Sequence, residues 1–527
     1  MGGGPTIVTG GAGYLHLITD TRPWYKNSRL IVLNLCICLL LITSSTNGYD
    51  GSMMNGLQSV QKWENEFHNP HGGTNIGSLA AYPFSPYLAD GLGRRPAIFI
   101  GACIMVCATI LQTASSSFGM FIGARFLIGF GLTFAASAAP LLVTEIAYPT
   151  QRAQATSMYN TLWYLGSIIA AWTTFGTFRL QNNWAWRIPS ALQGLPSLVQ
   201  IFLIWFVPES PRFLVSKGKE AKALQTLAYY HANGNENDPL VQYEFEEIKA
   251  AIAFDREVAA NVGWVSLFKT PGNRRRMRII IAIAFFSQWS GNGLVSLTIV
   301  LNLIDLNKVF ISIGITDSST QLLINGILNI FNFFVAIIAG FLCERVGRRR
   351  LFMTSTIGML VFWTLQTVCV SLYAQDNTRT AAAHTVIVMI FLFYGFYDLA
   401  FTPLIVSYTV EILPYALRAK GFTVFNFAIS LSLIFNQYVN PIALGKLGWK
   451  YYLVYVAWIS FEVVFCYFFI IETKNRSLEE TAALFDGDDT VAMISEKAAV
   501  HAGVSHHPEP EGSSNNSKEK LDAEHIQ

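Results

Sequence analysis

Long apolar runs separated by short polar loops dominate this chain. A helix needs about 20 apolar residues to cross a bilayer, and twelve runs of roughly that length occur along the sequence. We number these predicted spans 1 to 12 in chain order: residues 30–50, 73–90, 96–113, 119–144, 155–178, 187–207, 278–304, 320–343, 351–374, 382–411, 422–444 and 449–471. The pattern therefore predicts an all-α membrane protein with two groups of six spans.

Polar segments divide the chain into five predicted regions. The two six-span halves cover residues 30–207 and 278–472, and an N-terminal segment (1–29), a linker (208–277) and a tail (473–527) lie outside them. The linker contains "SKGKEAKALQTLAYYHANG" and "LVQYEFEEIKAAIAFDRE", whose apolar spacing and mixed charge predict short surface helices. The tail, with "HHPEPEGSSNNSKEK", has the composition of a disordered segment.

Composition excludes a string of soluble domains. The 527 residues are 52% hydrophobic and only 13% charged, with a mean hydropathy of +0.38, whereas soluble domains carry about 25% charged residues. The seven cysteines lie in or beside apolar runs, so we expect no disulfide framework. The N-terminal segment lacks the apolar core of a cleavable signal peptide.

Arginine clusters predict the orientation. They lie within 22–29, 94–95, 274–278 and 345–350, before span 1, between spans 2 and 3, before span 7 and between spans 8 and 9. These loops all face one side of a twelve-span bundle. The positive-inside rule makes that side cytosolic, and both termini with it.

Three motifs of the first half recur in the second half in the same order. "DGLGRRPAIF" (90–99) matches "ERVGRRRLFM" (344–353), "TEIAYPTQRA" (144–153) matches "VEILPYALRA" (410–419), and "PESPRF" (208–213) matches "IETKNR" (471–476). Parallel halves with a substrate site at their interface are the architecture of major facilitator transporters.

The repeated motifs combine helix-end carboxylates with loop arginines. Such groups can pair and hold the cytosolic face closed in one conformation, which is a two-state element that alternating access requires. The alternative is that the arginines only set membrane topology. The predicted cytosolic gate consists of Asp90, Arg94, Arg95, Glu145, Arg152, Glu209, Arg212, Glu344, Arg348, Arg349, Glu411, Arg418 and Glu472.

The motifs together resemble the sugar porter family of the major facilitator superfamily over residues 29–482. The matching stretches are "GYDG" (48–51), "DGLGRR" (90–95), "RFLIGFG" (125–131), "EIAYPTQRA" (145–153), "PESPRFL" (208–214), "SQWSG" (287–291), "ERVGRR" (344–349) and "ETKNRSLEE" (472–480). Longer runs such as "NGYDGSMMNGLQ" and "WRIPSALQGLP" are similar to fungal lactose permeases and cellodextrin transporters. The narrower resemblance implies import of a disaccharide or short β-linked glucan across the plasma membrane.

Asp50 closes the first apolar run, between Gly48 and Gly51. Carboxylates at membrane depth usually face a cavity and have a function, although a solvated loop position is the alternative. The family resemblance implies that Asp50 is the proton carrier of a symporter and that Arg125 of span 4 faces it. A static Asp50–Arg125 ion pair is the structural alternative.

The predicted sugar site departs from the hexose pattern of the family. Val406 and Ser430 fall where hexose porters place tryptophans, which suggests a pocket with room for a second sugar ring. Each candidate contact can instead be a polar residue that packs helices together. The candidate sugar-binding residues are Tyr164, Gln288, Asn292, Asn329 and Asn426.

Three functions stay open at this point. The leading hypothesis is a proton-coupled oligosaccharide importer that acts as a monomer. The alternatives are a hexose, polyol or quinate porter and a sugar sensor that does not transport, since 297–306 lacks the tyrosine pair of the family. The chain shows no nucleophile constellation or metal-ligand spacing, so we expect no enzyme activity, no cofactor, no metal and no nucleic-acid partner.

Overall fold

The structure is a computed structural model that describes residues 17, 24–57, 63, 66, 73–258, 264–293, 318–375, 380–474, 476, 481 and 484–485. Each of the twelve predicted spans contains helix within these residues. The first half consists of Ser28–Leu57 (span 1), Gly73–Ala81 and Ser85–Gly91 (span 2), Arg94–Thr113 (span 3), Phe118–Ile146 (span 4), Arg152–Thr161 and Trp163–Thr177 (span 5), and Trp184–Leu192 and Leu195–Leu203 (span 6).

The second half repeats this arrangement. It consists of Pro271–Trp289 (span 7), Ser318–Val346 (span 8), Arg348–Gln375 (span 9), Thr380–Ala400 and Leu404–Glu411 (span 10), Tyr415–Leu447 (span 11) and Tyr451–Phe469 (span 12). Eight stretches of the described residues are long and apolar enough to cross a membrane as continuous segments. The predicted end of span 7 and the segment 297–306 lie outside the described residues.

The linker contains the surface helices that its sequence predicts. Glu220–His231 and Pro239–Val258 correspond to the two predicted stretches, and in chain order the four linker helices are Pro211–Ser216, Glu220–His231, Pro239–Val258 and Ser266–Lys269. Leu214, Leu227 and Ile248 of the first three form a small apolar cluster of their own. We call the end of the bundle beside these helices the linker end. The tail beyond residue 485 lies outside the described residues.

The packing repeats between the halves, as the sequence motifs do. Span 3 packs on span 4 and span 9 on span 10, while span 1 packs on span 5 and span 7 on span 11. The halves meet where span 5 lies against span 8 and where span 11 lies against span 2. The interface between the halves is thus formed by equivalent pairs of spans.

Spans 5 and 10 are both interrupted near their middle. Span 5 breaks at Leu162, and span 10 breaks at 401–403, where Pro403 has no backbone N–H to continue the helix. Backbone groups released by such breaks at membrane depth need other partners. In transporters, broken helices usually line the binding site.

Candidate functional site: two buried carboxylates at the core of the bundle

Asp50 lies inside span 1, not in a loop after it. Span 1 continues to Leu57, and only 5% of Asp50 is exposed. Gly48 lets span 1 approach span 5 closely, because a Cβ atom there would overlap the backbone carbonyl of Trp163. The hydroxyl of Ser45 donates to the Leu162 carbonyl at 2.9 Å and secures the same contact. The solvated-loop alternative is therefore wrong.

The structure brings Asp50 and Arg125 together as the sequence predicts. The guanidinium donates to both carboxylate oxygens, with an Nη2–Oδ2 distance of 3.2 Å. The side-chain amide of Gln193 also donates to Oδ1 of Asp50. Gln112 in turn donates to the Gln193 amide oxygen at 3.2 Å.

The two glutamines were not predicted from the sequence. Gln193 stands where span 6 breaks, next to Gly194, and both glutamines are fully buried. The signal that the sequence offered was an amide side chain within an otherwise apolar span. The network joins spans 1, 3, 4 and 6, so every described partner of Asp50 belongs to the first half.

A second buried carboxylate, Asp398, lies between the breaks of spans 5 and 10. It is fully buried. The hydroxyl of Tyr164 donates to its Oδ1 at 2.8 Å, and that of Thr402 donates to the same oxygen at 2.6 Å. The Asn160 amide donates to the Thr402 carbonyl at 2.6 Å. Hydrogen bonds from span 5 therefore satisfy groups at the break of span 10.

Span 8 completes the surroundings of Asp398. The amide nitrogen of Asn332 lies 3.3 Å from Oδ2 in the amide orientation that satisfies both of its ends. Sequence reasoning proposed Tyr164 as a sugar contact but missed Asp398 and Asn332. The signal was an acidic residue inside the apolar stretch "LFYGFYDLAF".

The candidate sugar residues of span 7 pack against spans 10 and 11. The Asn292 amide donates to the Ser287 carbonyl at 3.0 Å and to the Tyr397 hydroxyl at 3.3 Å. The Gln288 amide donates to the Ser287 hydroxyl at 3.1 Å, and its backbone carbonyl accepts from Asn436 at 2.8 Å. The break of span 7 near Gly291 is thus surrounded by amides and tyrosines.

The other two candidates have fewer contacts. Asn329 donates to the Asn325 carbonyl one turn earlier, at 3.0 Å. Asn426 is partly buried, and the described part of the chain offers it no hydrogen-bond partner. Of the five candidates, Tyr164 is the one whose side-chain hydrogen bond, among the described residues, crosses between the halves.

The space expected beside Ser430 is occupied. The hydroxyl of Tyr82 lies 2.8 Å from that of Ser430, and its ring packs edge-on against Phe427. Val406 is buried within the second segment of span 10. Tyr82 of span 2 therefore fills the space beside the small side chain of Ser430 in this conformation, contrary to the expectation of open volume there.

The predicted gate residues of the first half form a connected set. Glu209 accepts from the backbone N–H groups of Arg94 and Arg95, each at 3.2 Å. The Arg94 side chain pairs with Asp90 at 3.2 Å and with Glu145 at 3.2 Å. The Arg212 guanidinium donates to the Glu145 carbonyl at 3.5 Å.

The second half repeats this geometry. Glu472 accepts from the backbone N–H groups of Arg348 at 2.9 Å and Arg349 at 3.2 Å, and Arg348 pairs with Glu411 at 3.2 Å. Gly93 and Gly347 have φ angles of +116° and +94°, and a Cβ on either would lie 2.5 Å from the carboxylate that its motif binds. The motif needs glycine for both reasons.

Two arginines differ from the expected carboxylate pairing. The Arg95 guanidinium donates to the backbone carbonyl of Val207 at 3.0 Å and lies over the Trp205 ring, and Arg349 donates to the Tyr467 carbonyl at 2.8 Å. Both side chains are stabilised by the carbonyls at the end of the last span of their half. The side chain of Glu344 lies outside the described residues.

A buried ion pair joins the halves at the linker end. Arg418 of span 11 lies 3.4 Å from Glu145 of span 4, and both side chains are buried. Nearby, the Ser157 hydroxyl lies 3.7 Å from the Cys343 sulfur across the same interface. The linker end is thus closed in this conformation.

The linker helices attach to the first half through a buried charged cluster. Glu244 accepts from Arg152 at 3.2 Å and contacts His231 Nδ1 at 2.7 Å, while His231 Nε2 faces the Ile146 carbonyl at 3.3 Å. Burial alone would raise the pKa of Glu244, but His231 and Arg152 outweigh burial and lower this pKa.

The family model described as "Sugar (and other) transporter" matches residues 35–485. The chain belongs to this family. It is therefore a multi-pass membrane transport protein and not an enzyme. Among the described residues, no group of three histidine, cysteine or acidic side chains could hold a metal ion.

Curated relatives agree with the family. The chain is 26% identical over 473 residues to the high-affinity glucose transporter of Kluyveromyces lactis, covering 82% of this chain and 81% of that protein. It is 27% identical over 485 residues to the probable polyol transporter 6 of Arabidopsis thaliana, covering 86% and 94%. These names refer to glucose and polyols, so the narrower likeness to lactose and cellodextrin transporters stays a prediction.

Solved structures confirm the major facilitator fold. The proton:xylose symporter XylE bound to 6-bromo-6-deoxy-D-glucose matches with a TM-score of 0.71 at 19% identity, covering 85% of this chain and 98% of that one. The inward-open conformation of XylE from E. coli matches with a TM-score of 0.61 at 18% identity, covering 86% and 99%.

Proposed function

We propose that this protein imports a sugar together with a proton across the plasma membrane, by alternating access of its two halves. The observation that carries the proposal is the Asp50–Arg125 pair, which is almost fully buried and includes a donor from Gln193. A carboxylate enclosed with an arginine can bind and release a proton when its surroundings change. The static ion pair is the alternative that the experiment below tests.

The proposed orientation rests on charge. The arginines 94–95 and 345–350 lie at the linker end, and the positive-inside rule makes that end cytosolic, with both termini. The linker end is held closed by Glu145 and Arg418. In this conformation, sugar and proton would enter from the outside.

A monosaccharide or a polyol is the substrate class best supported. The related transporters are named for glucose and for polyols, and Tyr82 fills the space beside Ser430. A disaccharide such as lactose or cellobiose is the second candidate. It is favoured by the small Val406 in span 10, where hexose porters of the resembling family have tryptophan.

The test is uptake into proteoliposomes that contain the purified full chain. Labelled glucose, sorbitol, lactose and cellobiose are each supplied with an inward proton gradient, with and without a protonophore. We expect accumulation of one or more of these sugars that collapses with the protonophore. Uptake that is indifferent to the gradient would refute symport, and a chain that transports none of them would favour the sensor hypothesis.

The Asp50→Asn variant tests the carboxylate. It should lose accumulation against a gradient and retain exchange of labelled for unlabelled sugar. Glu462→Gln is the matched control, because Glu462 is also a fully buried carboxylate but is bound by the Ser290 hydroxyl at 2.9 and 3.0 Å. If Asp50→Asn accumulates sugar like the control, Asp50 is only a structural ion pair.

A further inference from the structure

The described partners of Asp50 all lie in one half. Arg125, Gln193 and Gln112 belong to spans 4, 6 and 3. A rigid-body rotation of one half against the other, which is the usual form of alternating access, leaves these distances unchanged. The rotation by itself therefore does not change the hydrogen-bond partners that set the proton affinity of Asp50.

Asp398 differs because its hydrogen bonds cross the interface. Tyr164 of span 5 belongs to the first half, while Asp398, Thr402 and Asn332 belong to the second. A rotation that separates span 5 from span 10 removes the Tyr164 hydroxyl and leaves the other two donors in place. The surroundings of Asp398 thus change with the conformation.

Among the described residues, the groups that face Asp398 are neutral. Tyr164 approaches from span 5 and Asn332 from span 8, while Thr402 and the titratable Tyr397 are its neighbours on span 10. No ion pair to Asp398 occurs among the described residues. An ionised carboxylate in such a site is stabilised by its hydrogen-bond donors alone, and each donor that leaves favours the protonated form.

We propose that Asp398 is a second proton-binding carboxylate, whose protonation is coupled to the contact between spans 5 and 10. The Tyr164 hydrogen bond to Oδ1 favours the ionised form of Asp398. When the halves separate, this bond is lost and water reaches the carboxylate, so Asp398 can exchange a proton with water on the side to which it is then exposed. This inference rests on the proposed proton symport and assigns to Asp398 the part of the coupling that senses the rotation.

The test compares the pH dependence of sugar exchange in proteoliposomes. The probe is whichever of labelled glucose, sorbitol, lactose or cellobiose the wild type transports. The variants are Asp398→Asn, which cannot ionise, and Tyr164→Phe, which removes a single hydroxyl. Glu462→Gln is the control, since the described hydrogen bonds of Glu462 stay within the second half.

We expect Asp398→Asn to keep exchange but to lose its pH dependence and its accumulation under a proton gradient. Tyr164→Phe should shift the midpoint of the exchange profile upward by about one to two pH units, because one hydrogen bond to the charged form is lost. The control should keep the wild-type profile. The conservative Tyr164→Phe variant keeps the proposal testable if Asp398→Asn does not fold.

Two results would overturn the inference. One is a Tyr164→Phe profile identical to that of the wild type, and the other is an Asp398→Asn variant that accumulates sugar normally. If Asp50→Asn alone abolishes accumulation, the inference about Asp398 fails while the proposed symport stands. If the wild type itself shows no response to the proton gradient, the proposed function has failed first.

Discussion

The ion pair between Glu145 and Arg418 gives a quantitative prediction about the closed linker end. Truncating one partner of an isolated buried pair costs about 3–5 kcal/mol. In Arg418→Ala, the Glu145 carboxylate still pairs with Arg94 at 3.2 Å. The free energy that holds the linker end closed should therefore fall by about the value of one hydrogen bond to a charged group, about 2 kcal/mol. This corresponds to about a 30-fold shift of the equilibrium toward opening.

Cys343 provides the reporter. It is fully buried and lies beside Ser157 of the opposite half, so a thiol reagent can reach it only when the linker end opens. The assay uses a variant that keeps Cys343 and replaces the other six cysteines with alanine: Cys36, Cys38, Cys103, Cys107, Cys369 and Cys466. We expect Arg418→Ala to accelerate labelling about 30-fold, because the labelling rate follows the open population when reclosing is fast.

Arg348→Ala is the matched control. Its ion pair with Glu411 is similarly buried, at 3.2 Å, but lies within the second half. This variant should lower the thermal stability of the protein and leave the labelling rate of Cys343 near that of the parent. An unchanged rate in Arg418→Ala, or equal acceleration in both variants, would refute the assignment of the Glu145–Arg418 pair as the link between the halves.

Three further predictions follow from single positions. Gly347→Ala should lower the unfolding free energy by about 1–3 kcal/mol, because the backbone there is left-handed and the new Cβ would lie 2.5 Å from the Glu472 carboxylate. Thermal unfolding measures the change, and Gly91→Ala is the control, because a Cβ at Gly91 would have no atom within 4 Å. Because the pKa of Glu244 is lowered from 4.5, its contribution to linker attachment is present above pH 4.5 and is lost as the pH falls through the lowered value. Hydrogen exchange of the linker helices should show this loss in the wild type and not in Glu244→Gln. Val406→Trp should reduce lactose or cellobiose uptake much more than glucose uptake, and an equal reduction of both would argue against the disaccharide hypothesis.

Sequence motifs predicted many of the contacts in the proposed gate. The glycine–arginine–arginine pairs and the acidic residues of 90–95, 145 and 209 recur in the second half, and the structure joins them in the same way in both halves. Charge and order along the chain suffice here, because Glu209 and Glu472 each bind backbone N–H groups at the start of the helix that follows the motif glycine. The side chains of Arg95 and Arg349 were less predictable, since a guanidinium can be satisfied by carbonyls as well as by carboxylates.

The hydrogen-bond partners of the buried polar side chains could not be predicted from the sequence. Gln193 and Asp398 are single polar residues on apolar spans, and such residues usually pack one helix against another. Which neighbour they bind depends on the rotation of each helix about its axis and on where spans 5, 6 and 10 break. Hydropathy places a residue in a span but does not specify the side it faces.

The sequence by itself predicted an all-α membrane protein of two repeated halves, because bilayer thickness and backbone hydrogen bonding leave few alternatives for such apolar runs. It also determined that Asp50 and Arg125 would be candidates for proton coupling. Only the tertiary structure decided that this pair is enclosed in one half while Asp398 is bound by Tyr164 of the other. The physical reason is that a contact between halves depends on how two separately packed bundles dock, and no local pattern along the chain encodes that geometry.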